Sequence, residues 1–493
     1  MATPRYPALY QLNTRVWLTD LGRRLGRAAT LDDIPDEALD RIAALGFDWV
    51  WLLSVWQTGL VARAISRSNP GWRQEFAATL PDLTDDDIPG SGFAITGYDV
   101  ATALGGDGAL ARLRGRLRAR GLRLMLDFVP NHTAPDHPWV RENPGFYVQG
   151  TPEQLAAEPH NYTRVTGRDG QPRVLAYGRD PYFAGWPDTL QLDYANPALQ
   201  DAQVEVLRKI AGQCDGVRCD MAMLVLPEVF ERTWGRRPGP FWARAIAAVR
   251  QAVPGFCFMA EVYWDLEWTM QELGFDYAYD KRLYDRLRAG DAGPVRDHLR
   301  AEPAYQDRLA RFLENHDEPR AAATFPPAQH QAAAVVTYLT PGLRFLHQGQ
   351  LEGRRKRISP HLGRAPDEPV DGLLQEFYGR LLAVLRDPVV RDGNFRLLDC
   401  SPAWDGNGSA AGFIAWLWSG AAGERLLMVV NYSPGQGQCY VRLPCGDLQG
   451  RPVVLADSLG TARYQRDGTD LVTRGLYLDI GPWAYHAFAV WPG

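Results

Sequence analysis

The sequence predicts an α/β protein: a (β/α)8 barrel of the TIM type, a small lobe inserted after the third strand, and a C-terminal antiparallel β-sandwich. Three observations carry this. Eight short apolar runs alternate with segments of helical period from about residue 8 to residue 394. The stretch after the third run is rich in Pro, Gly, Asp and Tyr and has little periodicity. Near residue 395 the pattern changes to short alternating stretches split by turn residues. Alternating β and α units imply parallel strands covered by helices. Eight such units favour closure into a barrel over a doubly wound open sheet.

The expected strands are 9–17, 49–54, 122–128, 216–220, 257–261, 275–279, 311–314 and 343–347. Helical segments such as 109–120, 201–212 and 241–253 separate them. Two long loops, 60–95 and 133–190, follow the second and third strands, at the strand ends where barrel enzymes carry their active sites. The domain division expected is 1–132 with 191–394 for the barrel, 133–190 for the inserted lobe and 395–493 for the sandwich. In the last of these, 413–418, 426–431, 440–443 and 484–490 alternate as strands.

Composition narrows the function classes. The chain has 493 residues, 46% hydrophobic and 23% charged, enough for a large core without disulfides. Its formal net charge of −5, with no Lys/Arg-rich block, argues against nucleic acid. No apolar run reaches the ~20 residues of a membrane span, and residues 1–10 lack a signal-peptide core. Six cysteines form no CxxC pair, and Cys219 and Cys257 lie in apolar runs, which favours buried thiols and a cytoplasmic location.

Polar groups stand where four apolar strands meet their loops: LDFVPNHT (126–133), GVRCDMA (216–222), MAEVYW (259–264) and ENHDEPR (314–320). One acid at a strand end is commonly a cap or turn former. Four in chain order, Asp127, Asp220, Glu261 and Asp317, would share one barrel mouth, where buried charges perturb one another. Arg218 lies two residues before Asp220, on the same strand face.

These segments resemble, in order and spacing, the four signature regions of the α-amylase family of retaining glycoside hydrolases. QLDYANP (191–197) looks like that family's short fifth motif. The resemblance implies Asp220 as nucleophile, Glu261 as general acid/base and Asp317 as a holder of two sugar hydroxyls. It implies that Arg218 keeps Asp220 ionised and aimed, that His132 and His316 bond the sugar before the scissile bond, that Tyr98 in ITGYD forms a stacking floor for it, and that Asp127 braces the site. A retaining glycosidase needs two carboxyls about 5–5.5 Å apart, one attacking and one donating a proton. Their pKa values must differ, and ionised Asp220 and Asp317 would raise that of Glu261. Trp56, Trp72, Trp186 and Trp264 lie on expected loops near the mouth as sugar-stacking candidates.

The pattern departs from the family in two places. A Lys and a His often follow the nucleophile by three and four residues, whereas Met223 and Leu224 stand here. That favours a short substrate such as a small α-glucoside or oligosaccharide, a small acceptor or a specialised leaving group over endo-hydrolysis of long starch. Asn131 matches a frequent calcium ligand, but Asp180, Asp188 and Asp193 make no dense cage, so no cofactor is required and calcium is not favoured. Transferase, phosphorylase and isomerase reactions use the same covalent intermediate and stay open beside hydrolysis. Two rivals from other classes are a non-catalytic sugar-binding homologue and a dinucleotide-binding domain, the latter because GDGALA (106–111) fits G-x-G-x-x-G/A.

Overall fold

The computed structural model describes residues 4–493. Eight parallel strands close into a barrel: β1 (Ala8–Asn13), β2 (Trp49–Leu53), β3 (Arg123–Phe128), β4 (Gly216–Cys219), β5 (Cys257–Ala260), β6 (Tyr277–Tyr279), β7 (Leu309–Arg311) and β8 (Leu343–His347). Neighbours pair in chain order and β8 returns to β1, with Ala8 opposite Arg344 and Leu9 opposite Trp49. Strands covered on both faces are mainly apolar, and β2 and β8 are buried at every position.

Two expected strands differ. The first stops at Asn13, whose side chain accepts the Val16 N–H and starts the helix Thr14–Leu25. The seventh lies at Leu309–Arg311, and Glu314 beyond it forms a buried ion pair with Arg320 at 2.8 Å. The apolar run there reflects burial of the following loop as much as of the strand.

Residues 60–95 are not structureless. They form the helices Leu60–Ser68 and Pro70–Thr79, the second capped by the Asn69 side chain on the Trp72 N–H. Pro70, which suggests a loop, occupies the first helical turn, where its missing N–H costs nothing. Residues 149–176 carry a three-stranded antiparallel sheet of Gln149–Gly150, Tyr162–Thr166 and Pro172–Ala176. A ladder of His132–Thr133 with Leu190–Gln191 closes the two ends of this excursion onto each other.

The C-terminal region holds an antiparallel six-stranded sheet and a three-stranded sheet. In the strand Phe413–Ser419, Phe413, Ala415 and Leu417 face the core between the two sheets. Ile414, Trp416 and Trp418 face the barrel core instead. The period of two in a strand thus serves two interfaces. Both indoles donate to the Leu339 carbonyl, at 2.9 and 2.8 Å, just past the helix Pro327–Tyr338. All six cysteines are unpaired and five are buried, Cys219 and Cys257 among them.

Candidate active site

Parallel strands that start together end together, so residues just past β3, β4, β5 and β7 converge at one mouth. Register sets Arg218 beside Asp127 on β3 and beside Met259 on β5. The Asp220 N–H donates to the Phe128 carbonyl and the Glu261 N–H to the Cys219 carbonyl, extending the ladder past the strand ends. Both acids are thereby fixed by backbone before any side-chain contact forms.

Arg218 is the hub. Its guanidinium is fully buried. Nη1 lies 2.6 Å from Asp220 Oδ1 and 3.8 Å from Asp127 Oδ1. Nη2 lies 2.7 Å from Glu261 Oε2 and 3.9 Å from Asp317 Oδ2. The rings of Trp51, Phe93 and Tyr279 surround the same cation at 5.4, 5.3 and 5.8 Å. Arginine suits this place because its planar fork presents several donors at once and never loses its charge.

Burial pushes the Glu261 carboxyl up to about 8; Arg218 opposes this, and ionised Asp220 and Asp317 add to it. Burial is thus the leading cause, ahead of the neighbouring carboxylates invoked from sequence. Asp127 is likewise pushed up to about 7 by burial, against the pull of Arg218. Asp317 opens to solvent, its side chain 41% exposed.

His316 and His132 are buried, and burial lowers both pKa values, which keeps them neutral. His316 Nδ1 meets the Gln11 amide nitrogen at 2.9 Å. That contact leaves the proton on Nε2, which lies 3.0 Å from Asp317 Oδ2.

Asp220, Glu261, Asp317 and His132 line a cavity of about 410 Å³. Tyr98 does not line it. Its hydroxyl is used twice on Val129, accepting from the N–H at 2.9 Å and donating to the carbonyl at 3.2 Å. The strand Ile95–Val100 that carries it pairs with Trp56–Thr58, which turns the ring inward. Phe93 takes the open position, stacked on His316 at 5.4 Å and lining the cavity. Among the tryptophans, Trp72 and Trp186 line the cavity. Trp56 is fully buried, its indole donating to the Asp127 carbonyl, and Trp264 packs on Tyr182. Met223 and Leu224 are buried in a 3-10 turn, and Met221, with φ +41°, meets the cavity in their stead.

Several lining groups had no sequence signal. Glu75 and Arg357 pair at 2.6 Å in the cavity wall. Beside them, His361 lies against Trp72 at 4.7 Å and meets Ser66 Oγ at 2.9 Å. Below sits a separate small core of Phe76, Leu80, Ile88 and Leu362. Tyr263 is not among the residues singled out from the sequence, although it stands only two residues after Glu261.

The calcium site suggested by Asn131 does not fit a cation. The Gln191 amide nitrogen occupies the focus of its oxygens, at 2.9 Å from Asn131 Oδ1, 3.0 Å from the Asn131 carbonyl and 3.1 Å from the Leu192 carbonyl. Asp193 is paired with Arg236, and Asp180 accepts the Tyr182 and Phe183 N–H groups. The 106–111 glycines open the helix Gly106–Arg118, but the preceding strand belongs to the antiparallel hairpin with Trp56–Thr58. That is not the parallel unit a dinucleotide needs.

Comparison with known proteins bears on the fold and the family. The family described as "Alpha amylase, catalytic domain" matches residues 30–283, just over half of the chain. The α-amylase MalA of Haloarcula japonica is 25% identical over 376 residues, 73% of this chain and 47% of that protein. The trehalose synthase/amylase TreS of Mycobacterium tuberculosis is 26% identical over 273 residues, 48% of this chain and 44% of its own. The matches thus span about half the length of these relatives. The crystal structure of the maltogenic α-amylase AmyB from Thermotoga neapolitana superposes with a TM-score of 0.69 at 16% identity, covering 98% of each chain, which speaks for the fold. The chain belongs to the α-amylase family.

Proposed function

We propose that this protein is a retaining glycoside hydrolase that acts on short α-glucosides or α-glucans through a covalent glycosyl-aspartate at Asp220. The observation that carries this is the Arg218 guanidinium, which holds Asp220 on one nitrogen and Glu261 on the other at the floor of one cavity. Asp220 attacks the anomeric carbon while the bond to the leaving oxygen breaks and Glu261 gives that oxygen its proton. Glu261, now ionised, then takes a proton from water as the water attacks the sugar and releases Asp220. Asp317 holds sugar hydroxyls beside the reacting carbon, with the buried, neutral His316 set behind it.

The walls support a short substrate. Glu75 and Arg357 come from the loops after β2 and β8, which flank β1, while Glu261 follows β5 across the barrel. The leaving group points toward the acid, so the Glu75–Arg357 pair closes the opposite, donor end. The cavity volume of about 410 Å³ is of small-ligand size.

A sugar hydroxyl or phosphate could resolve the same intermediate, and the name of the M. tuberculosis relative joins a synthase to an amylase. A product screen on maltose, isomaltose, sucrose, trehalose and starch, with and without phosphate, separates these outcomes. Mass spectrometry after reaction with 5-fluoro-α-glucosyl fluoride should find the label on the peptide containing Asp220. A label elsewhere overturns the reading. A cytoplasmic location is part of the same proposal and is compatible with the free thiols, and no helix among the described residues is long and apolar enough to cross a membrane. The reaction needs no metal, because the chemistry is complete in the carboxyls, and chelation should leave turnover unchanged.

A further inference from the structure

We infer that Tyr263 is a positioning residue for the proton of Glu261, donating its hydroxyl hydrogen to the very oxygen from which that proton leaves. This rests on Glu261 being the acid. The two oxygens of Glu261 are not equivalent. Oε2 accepts the Met221 N–H at 2.6 Å and lies 2.7 Å from Arg218 Nη2. With a backbone donor and a cation on it, Oε2 holds the negative end of the carboxyl and has no room for a proton. The transferable proton therefore sits on Oε1, whose one partner among the described residues is the Tyr263 hydroxyl at 2.9 Å.

A carboxylic oxygen can give its proton to the substrate and accept from a phenol at the same time. Tyr263 is suited to be the donor, since burial and the nearby Glu261 raise its pKa well above the ordinary value and keep it protonated. Both residues line the cavity, with Tyr263 at the acid side. As the proton passes from Oε1 to the leaving oxygen, negative charge grows on Oε1 and the phenol hydrogen bond strengthens. Such a bond is worth most in the transition state. When Glu261 later takes a proton from water, the bond weakens again and the cycle closes. The other charged and titratable groups facing Glu261 are Arg218 and Asp220 from β4 and its end, Asp317 after β7, and Tyr279 on β6. None of them reaches Oε1 with a hydrogen bond.

The test compares Tyr263→Phe with wild type on two aryl α-glucosides. For phenyl α-glucoside, a poor leaving group, kcat/KM should fall about 10- to 100-fold, a part of the full value of general acid catalysis. For 2,4-dinitrophenyl α-glucoside, which leaves without a proton, it should change little. The basic limb of the pH profile should move up, because the ionised acid has lost a donor. Equal losses on both substrates with an unmoved limb would make Tyr263 a packing residue and overturn the inference. So would full activity on the phenyl glucoside. Should Tyr263→Phe not fold, 3-fluorotyrosine at 263 keeps the shape and strengthens the donor, and the limb should move down. Glu261→Gln, run in parallel, tests the underlying assignment. If it does not discriminate between the two substrates, the acid itself is misplaced, whatever Tyr263 does.

Discussion

A single buried cation among four carboxyl groups sets the chemistry at the scale of residues. Desolvating Arg218 is expensive, and only close opposite charges offset that cost. A Lys in its place keeps the charge but offers a compact point where a fork is needed. Arg218→Lys should therefore lower kcat at least about 100-fold, the size seen when one preorganised donor is lost. It should also lower the melting temperature, because some carboxyls are left without their partner. Kinetics beside calorimetry checks both effects. Glu261 gives the pH dependence. The active form carries its proton, so kcat/KM should hold below the raised pKa and decline as pH rises through about 8. The sign for stability follows from the same shift. A carboxyl that stays protonated in the fold while the unfolded chain ionises costs stability, and the cost grows from the unfolded pKa up to the folded one. Much of this site was legible in the sequence, since Asp220, Glu261, Asp317, His132 and His316 each stand within a few residues after a barrel strand. Tyr98 is set back from the cavity with its hydroxyl taken up by Val129, which nothing local in the sequence shows.

Elements decide how much sugar the site admits. The helix Pro70–Thr79, the segment that follows it and the loop after β8 share a small core and an ion-pair clasp in which Arg364 grips Asp82 and Asp87. This clasp holds Glu75 and Arg357 in the cavity wall. Their pair is partly exposed, at 46% and 35%, so its loss should cost little stability. Its effect should fall on specificity. Arg357→Ala should raise the ratio of kcat/KM for maltotetraose over maltose about 10-fold, a change of ~1.4 kcal/mol. An unchanged ratio would mean that the donor end is closed elsewhere. The sequence hid this assembly because its apolar contacts join segments almost 300 residues apart, and period alone does not reveal partners of that separation.

At the scale of the whole molecule, the C-terminal sheet is a structural buttress. Trp416 and Trp418 are fully buried and both bind the Leu339 carbonyl at the end of a barrel helix. Trp416→Ala should cost about 3–5 kcal/mol, as large aromatic truncations in cores do. Scanning calorimetry should show the loss as one lowered transition if barrel and sheet unfold together, and as two transitions if the interface has come apart. Activity at low temperature should survive, since neither indole lines the cavity.

The sequence by itself determined the alternation of strands and helices, the antiparallel tail and the acids at the strand ends. These follow from local rules: side-chain period, turn chemistry and the place where an apolar run stops. Only the tertiary structure decided that Arg218 touches four carboxyls, that Phe93 and not Tyr98 borders the cavity, that a glutamine amide fills the oxygen cluster at Asn131, and that one strand serves two cores. The physical reason is common to all four. Each depends on which distant atoms meet a group after burial, and free energy of desolvation is fixed by neighbours in space, which order along the chain does not state.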